Sequence, residues 1–200
     1  MAGEKFKLGI TGGIGSGKSS VCRVFEVFNI PVFSADRVAQ GIMESNKEII
    51  EGIKSIAGTD LYMSGKLDRM ILANIIFNNN SLLNKVNSLV HPVVFDYFRR
   101  WVPVQTAPYV IMEAAILFES GASEIVDRIA TIIAPEEERI QRVIVRNKLS
   151  REQITERMRN QMDDEKRAKK SDFIINNSEN EMIIPAILTI HNDILNFIKN

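Results

Sequence analysis

The chain alternates short apolar runs with longer stretches in which apolar residues recur every three or four positions. The short runs are KLGIT (7–11), PVFSA (31–35), YVIMEA (109–114), IATIIA (129–134) and DFIINN (172–177). Their apolarity is continuous rather than alternating, as in strands covered on both faces. Strands separated by helical patterns predict an α/β fold with a mostly parallel sheet.

After the first run, Val21, Val24, Phe25 and Phe28 fall at i, i+3, i+4 and i+7, one face of a helix directed at a core. Cys22 lies beside that stripe and reads as a small packing residue. Pro135 followed by Glu136, Glu137 and Glu138 predicts another helix start. Proline suits the first helical position, and acids suit the positive end of the dipole. Ser150-x-x-Gln153 and Ser178-x-x-Glu181 have capping-box spacing. A last helix carries Ile184, Ile187, Leu188, Ile194, Leu195 and Ile198 on one side. Between the second and third runs lie about seventy residues, too many for an ordinary crossover. Most of that span reads as helical, interrupted at GTDLYMSGK (58–66) and at Pro92, so an inserted helical subdomain is expected. Ligands bind at the carboxyl ends of strands in open α/β sheets, so such an insertion would overhang the site.

Composition narrows the classes. Of 200 residues, 45% are apolar and 25% charged, with 25 basic against 25 acidic side chains. A balanced charge argues against a nucleic-acid-coating protein. The single cysteine excludes an internal disulfide and a zinc site built from thiolates, in keeping with a reducing compartment. No apolar run is long enough to span a bilayer, and MAGEKFKLGI lacks the apolar core of a secretion signal. A cytoplasmic protein with neither membrane nor nucleic-acid partners is expected.

The chemistry begins at Gly12-Gly13-Ile14-Gly15-Ser16-Gly17-Lys18-Ser19, which fills G-x-x-x-x-G-K-[ST] completely. It follows an apolar strand and opens an amphipathic helix, the context that motif requires. Such a loop curls its N–H groups inward around a phosphate, and the helix N-terminus adds partial positive charge. Lys18 would reach the β- and γ-phosphates, Ser19 would ligate Mg²⁺, and Ser20 is a weaker candidate for the α-phosphate. A nucleoside triphosphate is therefore the expected ligand.

Three further features bear on its use. Asp36 closes the second run, either as a base or metal-holding acid facing the γ-phosphate or as the N-cap of a helix starting at Arg37. Glu113 ends the third run and Glu119 lies near the same rim; each is a metal-supporting acid or a surface residue. Residues 139–159 hold seven bases (Arg139, Arg142, Arg146, Lys148, Arg151, Arg157, Arg159) against two acids, Glu152 and Glu156. Arg139, Arg142 and Arg146 share one helix face, and Arg157 and Gln161 share a face of the next. This reads as a phosphoryl-transfer lid or as a solvated basic surface. His91 and His191 are too isolated for a metal site.

Together these segments resemble the dephospho-CoA kinase family nearly end to end. GITGGIGSGKSSV (9–21) is similar to its P-loop, and FSADRVAQ (33–40) to its Asp-Ala-Asp segment. LDRMILANIIF (67–77) and LVHPVVFDYF (89–98) resemble two helical segments of its substrate domain. VIMEAAILFESG (110–121) resembles the strand ending Pro-Leu-Leu-Phe-Glu, residues 138–161 its lid, and SDFIINNSEN (171–180) the loop near the adenine. Ser34 stands at the first aspartate of the pattern and Ala115 at its proline.

The resemblance implies a three-layer P-loop NTPase fold with a five-stranded parallel sheet in order 2-3-1-4-5. The core would comprise 1–36, 104–141 and 168–200, the substrate domain 37–103, and the lid 142–167. The implied reaction moves phosphate from ATP to the 3′-hydroxyl of 3′-dephospho-CoA, completing coenzyme A. Gly13, Ile14, Gly15, Ser16, Gly17, Lys18, Ser19 and Ser20 would hold ATP with Mg²⁺. Asp36 would be the base, Arg142 and Arg146 would stabilise the transferred group, and Arg69 and His91 would touch the acceptor. The rivals are a kinase of another small acceptor, such as a nucleoside monophosphate, and a nucleotide-dependent switch. The chain lacks the Asn-Lys-x-Asp segment of a GTPase switch.

Overall fold

In the computed structural model, which describes residues 5–77, 79–147 and 149–199, β1 (Phe6–Thr11) lies between β5 (Tyr109–Glu113) and β6 (Arg128–Ile133). β2 (Val32–Ser34) and β7 (Phe173–Asn176) form the edges, giving the order β2-β5-β1-β6-β7. Every neighbouring pair is parallel. Counting only these five strands, the order is 2-3-1-4-5, as the resemblance implied. Each apolar run becomes a strand within a residue of its expected limits.

The central strands are apolar throughout because both faces are covered. On one face Leu8, Ile10, Tyr109, Ile111 and Ile132 pack against Val21 and Phe25 of α1 (Lys18–Val27) and Ile187, Ile190 and Ile194 of α9 (Ile183–Lys199). Each fully buried aliphatic side chain there stabilises the fold by about 1.5–3 kcal/mol. On the other face Gly9 approaches Leu117 so closely that a Cβ would lie 2.9 Å from its Cδ1. The buried stripe of α9 is centred on Ile187, Ile190 and Ile194; the expected Ile184, Leu188 and Ile198 are exposed. The Ser178 capping box does not form, because Glu181 Oε1 accepts from Asn176 Nδ2 at 3.1 Å and α9 starts only at Ile183. The Ser150 box does form and opens α7 (Arg151–Arg159), which follows α6 (Glu136–Asn147). Lys148, counted in the basic run, lies outside the described residues. α8 (Asp164–Lys169) then leads into β7.

Residues Ala35–Trp101 form a separate compact unit. It comprises α2 (Ala35–Ser45), α3 (Lys47–Ala57), a hairpin of β3 (Tyr62–Met63) and β4 (Lys66–Leu67), α4 (Arg69–Phe77) and α5 (Asn80–Trp101). The GTDLYMSGK interruption is thus a β-hairpin rather than a plain loop, turning at Ser64 and Gly65 with φ of 51° and 77°. Pro92 does not interrupt the helix, contrary to expectation: it sits inside α5. A mid-helix proline costs about 3 kcal/mol. Val86, Val90, Val94 and Phe98 form a buried stripe on either side of it, and α5 packs against α2, α3 and α4, which offsets that loss.

Candidate functional site

The glycine loop runs from the carboxyl end of β1 to α1. Gly15 and Gly17 take φ of 80° and 95°, a region that penalises any residue with a Cβ. Space reinforces conformation: a Cβ on Gly15 would lie 2.4 Å from Arg139 O, and one on Gly17 would lie 2.0 Å from Asn177 Nδ2. α1 starts from Gly17 with no side-chain cap and no acid in its first turn, which leaves its positive end for an anion. Lys18 Nζ folds back over the loop and donates to Gly12 O at 2.8 Å and Gly13 O at 3.4 Å. Ser19 and Ser20 are exposed in the first turn, whereas Ser16 is buried and its Oγ has no hydrogen-bond partner. Gly13 to Gly17 thus form the loop, and Lys18, Ser19 and Ser20 form the first turn of α1.

Three side chains from distant segments hold this loop. Ile14 N–H donates to Gln161 Oε1 at 2.8 Å, Arg139 Nε donates to Ile14 O at 2.9 Å, and Asn177 Nδ2 donates to Ser16 O at 2.8 Å. The sequence placed Arg139 on a shared face with Arg142 and Arg146. It is instead 7% exposed and lies so near the loop that a Cβ on Gly13 would come within 2.1 Å of its Nη2. A buried guanidinium needs a partner, and Asp164 supplies it while also pairing with the buried Arg167. Burial draws Arg139 below its ordinary pKa, and Asp164 opposes that shift.

Gln161 is a second correction. α7 ends at Arg159, so Gln161 lies in the turn beyond it rather than on a helix face with Arg157. The next residue is fixed on both sides: Met162 N–H donates to Glu119 Oε1 at 2.8 Å, and Arg167 Nη2 donates to Met162 O at 2.6 Å. Glu119, left open between a functional and a surface role, thus has a structural partner.

Arg142 Nη2 donates to Glu138 Oε2 at 2.8 Å, and the same oxygen accepts Glu179 N–H at 3.0 Å, tying α6 to the loop after β7. Its Nη1 is buried with no hydrogen-bond partner. Arg146 is exposed in the last turn of α6. Arg151 makes two hydrogen bonds to Glu137, and this contact holds that carboxyl down at about 2. Glu113 ends β5 almost buried and accepts from Ser34 Oγ at 2.9 Å. Ser34 therefore offers a neutral donor where an aspartate would repel Glu113. Cys22 is buried, which pushes its thiol pKa up; Glu113 and Glu26 add to the rise and Lys18 opposes it.

Within the 35–101 unit, Asp36 neither closes a strand nor caps a helix beginning at Arg37. β2 ends at Ser34, α2 starts at Ala35, and Asp36 lies in its first turn, where an acid suits the dipole. α2 packs on α5, which brings Asp36 near His91. Burial lowers the His91 pKa and the Asp36 carboxylate raises it in part. His91 also stacks on Phe95, with ring centroids 6.2 Å apart. Arg69, at the start of α4, donates to Glu44 Oε1 at 2.8 Å. Asp36 and His91 are brought together, while Arg69 is tied to the last turn of α2.

Among the described residues no helix is long and apolar enough to cross a membrane. The sequence model of the dephospho-CoA kinase family matches residues 6–182. A dephospho-CoA kinase of Bacteroides fragilis is 38% identical over 183 residues, which cover 91% of this chain and 89% of that one. A crystal structure from Thermus thermophilus is 31% identical, with a TM-score of 0.83 over 97% of this chain and 98% of the other. A dephospho-CoA kinase structure from Campylobacter jejuni is 27% identical, with a TM-score of 0.68 over 94% and 96%. The matched span contains the loop, its three supports, Asp36 and both arginine-bearing helices, so the chain belongs to the dephospho-CoA kinase family.

Proposed function

We propose that this protein transfers the γ-phosphoryl group of ATP to the ribose 3′-hydroxyl of 3′-dephospho-CoA, giving coenzyme A and ADP. The observation that carries this reading is the family match over residues 6–182, which includes the complete phosphate loop. The loop suits a polyphosphate on its own chemistry: its left-handed glycines leave no room for side chains, and the uncapped N-terminus of α1 favours an anion.

Lys18 would exchange the Gly12 and Gly13 carbonyls for phosphate oxygens, moving its charge to the β- and γ-groups. Among the described residues no cluster of three His, Cys, Asp or Glu side chains forms a metal site. Mg²⁺ would be held by the exposed Ser19 hydroxyl together with phosphate oxygens and would supply charge neutralisation for the phosphates. Asp36 would orient the 3′-hydroxyl and take its proton. The 37–103 segment would hold the acceptor, with Arg69 and His91 contributing.

The transition state is loose, so positioning and charge stabilisation supply most of the rate. Arg142 and Arg146 would provide that charge from the 142–167 lid. Arg142 must first leave Glu138, and Arg146 lies exposed at the end of α6. Residues 161–167 are tied to the loop and to Glu119, which favours movement confined to the part of the lid before Gln161.

ADP release with and without dephospho-CoA tests the reading directly. Phosphate transfer to a nucleoside monophosphate and none to dephospho-CoA refutes it. Asp36→Asn should retain ATP binding while turnover drops roughly 10²-fold or more, as for loss of a general base. Near-normal turnover would confine Asp36 to its place in the first turn of α2.

A further inference from the structure

We propose that Gln161 is a positioning residue for the phosphate loop, acting through the Gly13–Ile14 peptide; this rests on the reading that the loop receives the phosphates of ATP. Ile14 lies between Gly13 and Gly15, neither of which has a side chain to restrain the backbone. A peptide unit in that setting can rotate, and rotation exchanges the direction of its N–H and C=O. The consequence is electrostatic, because a loop that presents N–H groups attracts phosphate and one that presents a carbonyl repels it.

The two peptide units on either side of Ile14 are both gripped, Gly13–Ile14 through its N–H and Ile14–Gly15 through its carbonyl. Gln161 Oε1 accepts the Ile14 N–H at 2.8 Å, and Arg139 Nε donates to the Ile14 carbonyl at 2.9 Å. The Gly13 carbonyl of the first unit accepts Ser16 N–H at 3.1 Å, so an acceptor on its N–H and a donor on its carbonyl hold the Gly13–Ile14 unit in one orientation. The grip is rigid because its supports are themselves fixed. Met162, directly after Gln161, is hydrogen-bonded through both its N–H and its carbonyl. Arg139 is locked by Asp164, which in turn holds Arg167, fully buried at 0% exposure. The segment following the arginine hairpin thus sets the geometry of a loop far away in sequence. Gln161 touches no reacting atom in this scheme; it fixes which way one peptide dipole points.

Two variants separate the hydrogen bond from mere bulk. Gln161→Met has similar length and no acceptor of comparable strength, whereas Gln161→Glu retains an acceptor oxygen. The readouts are amide exchange at Ile14 by NMR and the dissociation constant of magnesium-ATP by calorimetry, both without any acceptor substrate. Gln161→Met should lose protection at Ile14 and bind ATP about five- to tenfold more weakly, the scale of one partly buried hydrogen bond. Gln161→Glu should keep the Ile14 amide protected. Unchanged ATP affinity in Gln161→Met overturns the proposal, even if its melting temperature falls. Equal loss of Ile14 protection in both variants also overturns it. Because neither measurement involves dephospho-CoA, failure to phosphorylate that acceptor would refute the proposed function and leave this inference standing.

Discussion

Replacing Gly17 by alanine, alone and together with Asn177→Ala, gives a quantitative test of how the phosphate loop is held. Gly17 has φ 95°, and its would-be Cβ lies 2.0 Å from Asn177 Nδ2, the atom that donates to Ser16 O. Two penalties follow from Gly17→Ala. Left-handed backbone costs an L-residue about 1–2 kcal/mol. Moving the Asn177 amide aside loses a hydrogen bond worth about 1 kcal/mol net. Reduced freedom of the unfolded chain offsets roughly 0.5 kcal/mol, leaving a destabilisation of about 2 kcal/mol. Asn177→Ala alone removes the same hydrogen bond and should cost about 1 kcal/mol. In the double variant that bond is already absent and the clash has gone, so the total should stay near 2 rather than the additive value of about 3 kcal/mol. Urea unfolding followed by far-UV circular dichroism measures all four proteins. Additivity within about 0.3 kcal/mol would show that Gly17 and Asn177 are independent and would refute the reasoning.

The histidines give a pH dependence. Burial holds both His191 and His91 below their ordinary value of 6.5. Each stays neutral in the fold at pH values where the unfolded chain already binds a proton. Their stabilising contribution is complete above about pH 6.5 and is lost as pH falls through the lowered folded values. His191 Nδ1 shares a 2.7 Å hydrogen bond with Tyr109 Oη, so His191→Gln should flatten the fall in urea midpoint on acidification. An unaltered slope would show that His191 contributes nothing to it. Cys22, 6% exposed and with a raised thiol pKa, should resist an aromatic disulfide reagent at mildly alkaline pH until urea unfolds the chain. Labelling of the native protein within seconds would contradict that burial.

The features legible in the sequence are those fixed by near neighbours. Continuous apolar runs became the five parallel strands, because covering on both faces leaves a signature within each strand. The glycine-lysine spacing located the phosphate loop, since its curl depends on consecutive residues. The Ser150 capping box formed because both partners lie within one turn. Tertiary structure decided what local patterns leave undetermined. Arg139 fell on an arginine stripe by periodicity, yet the fold buries it against a loop 125 positions earlier. Gln161 and Asn177 meet that loop across 147 and 161 positions, so no spacing rule could reveal them. Pro92 remained helical because a buried stripe outweighs a local penalty, and the Ser178 box failed because Asn176 took the side chain it needed. The sequence by itself determined where a glycine loop curls between β1 and α1. Only the tertiary structure decided which side chains hold that loop in shape, because those contacts exist only once β1, β6 and β7 have joined one sheet.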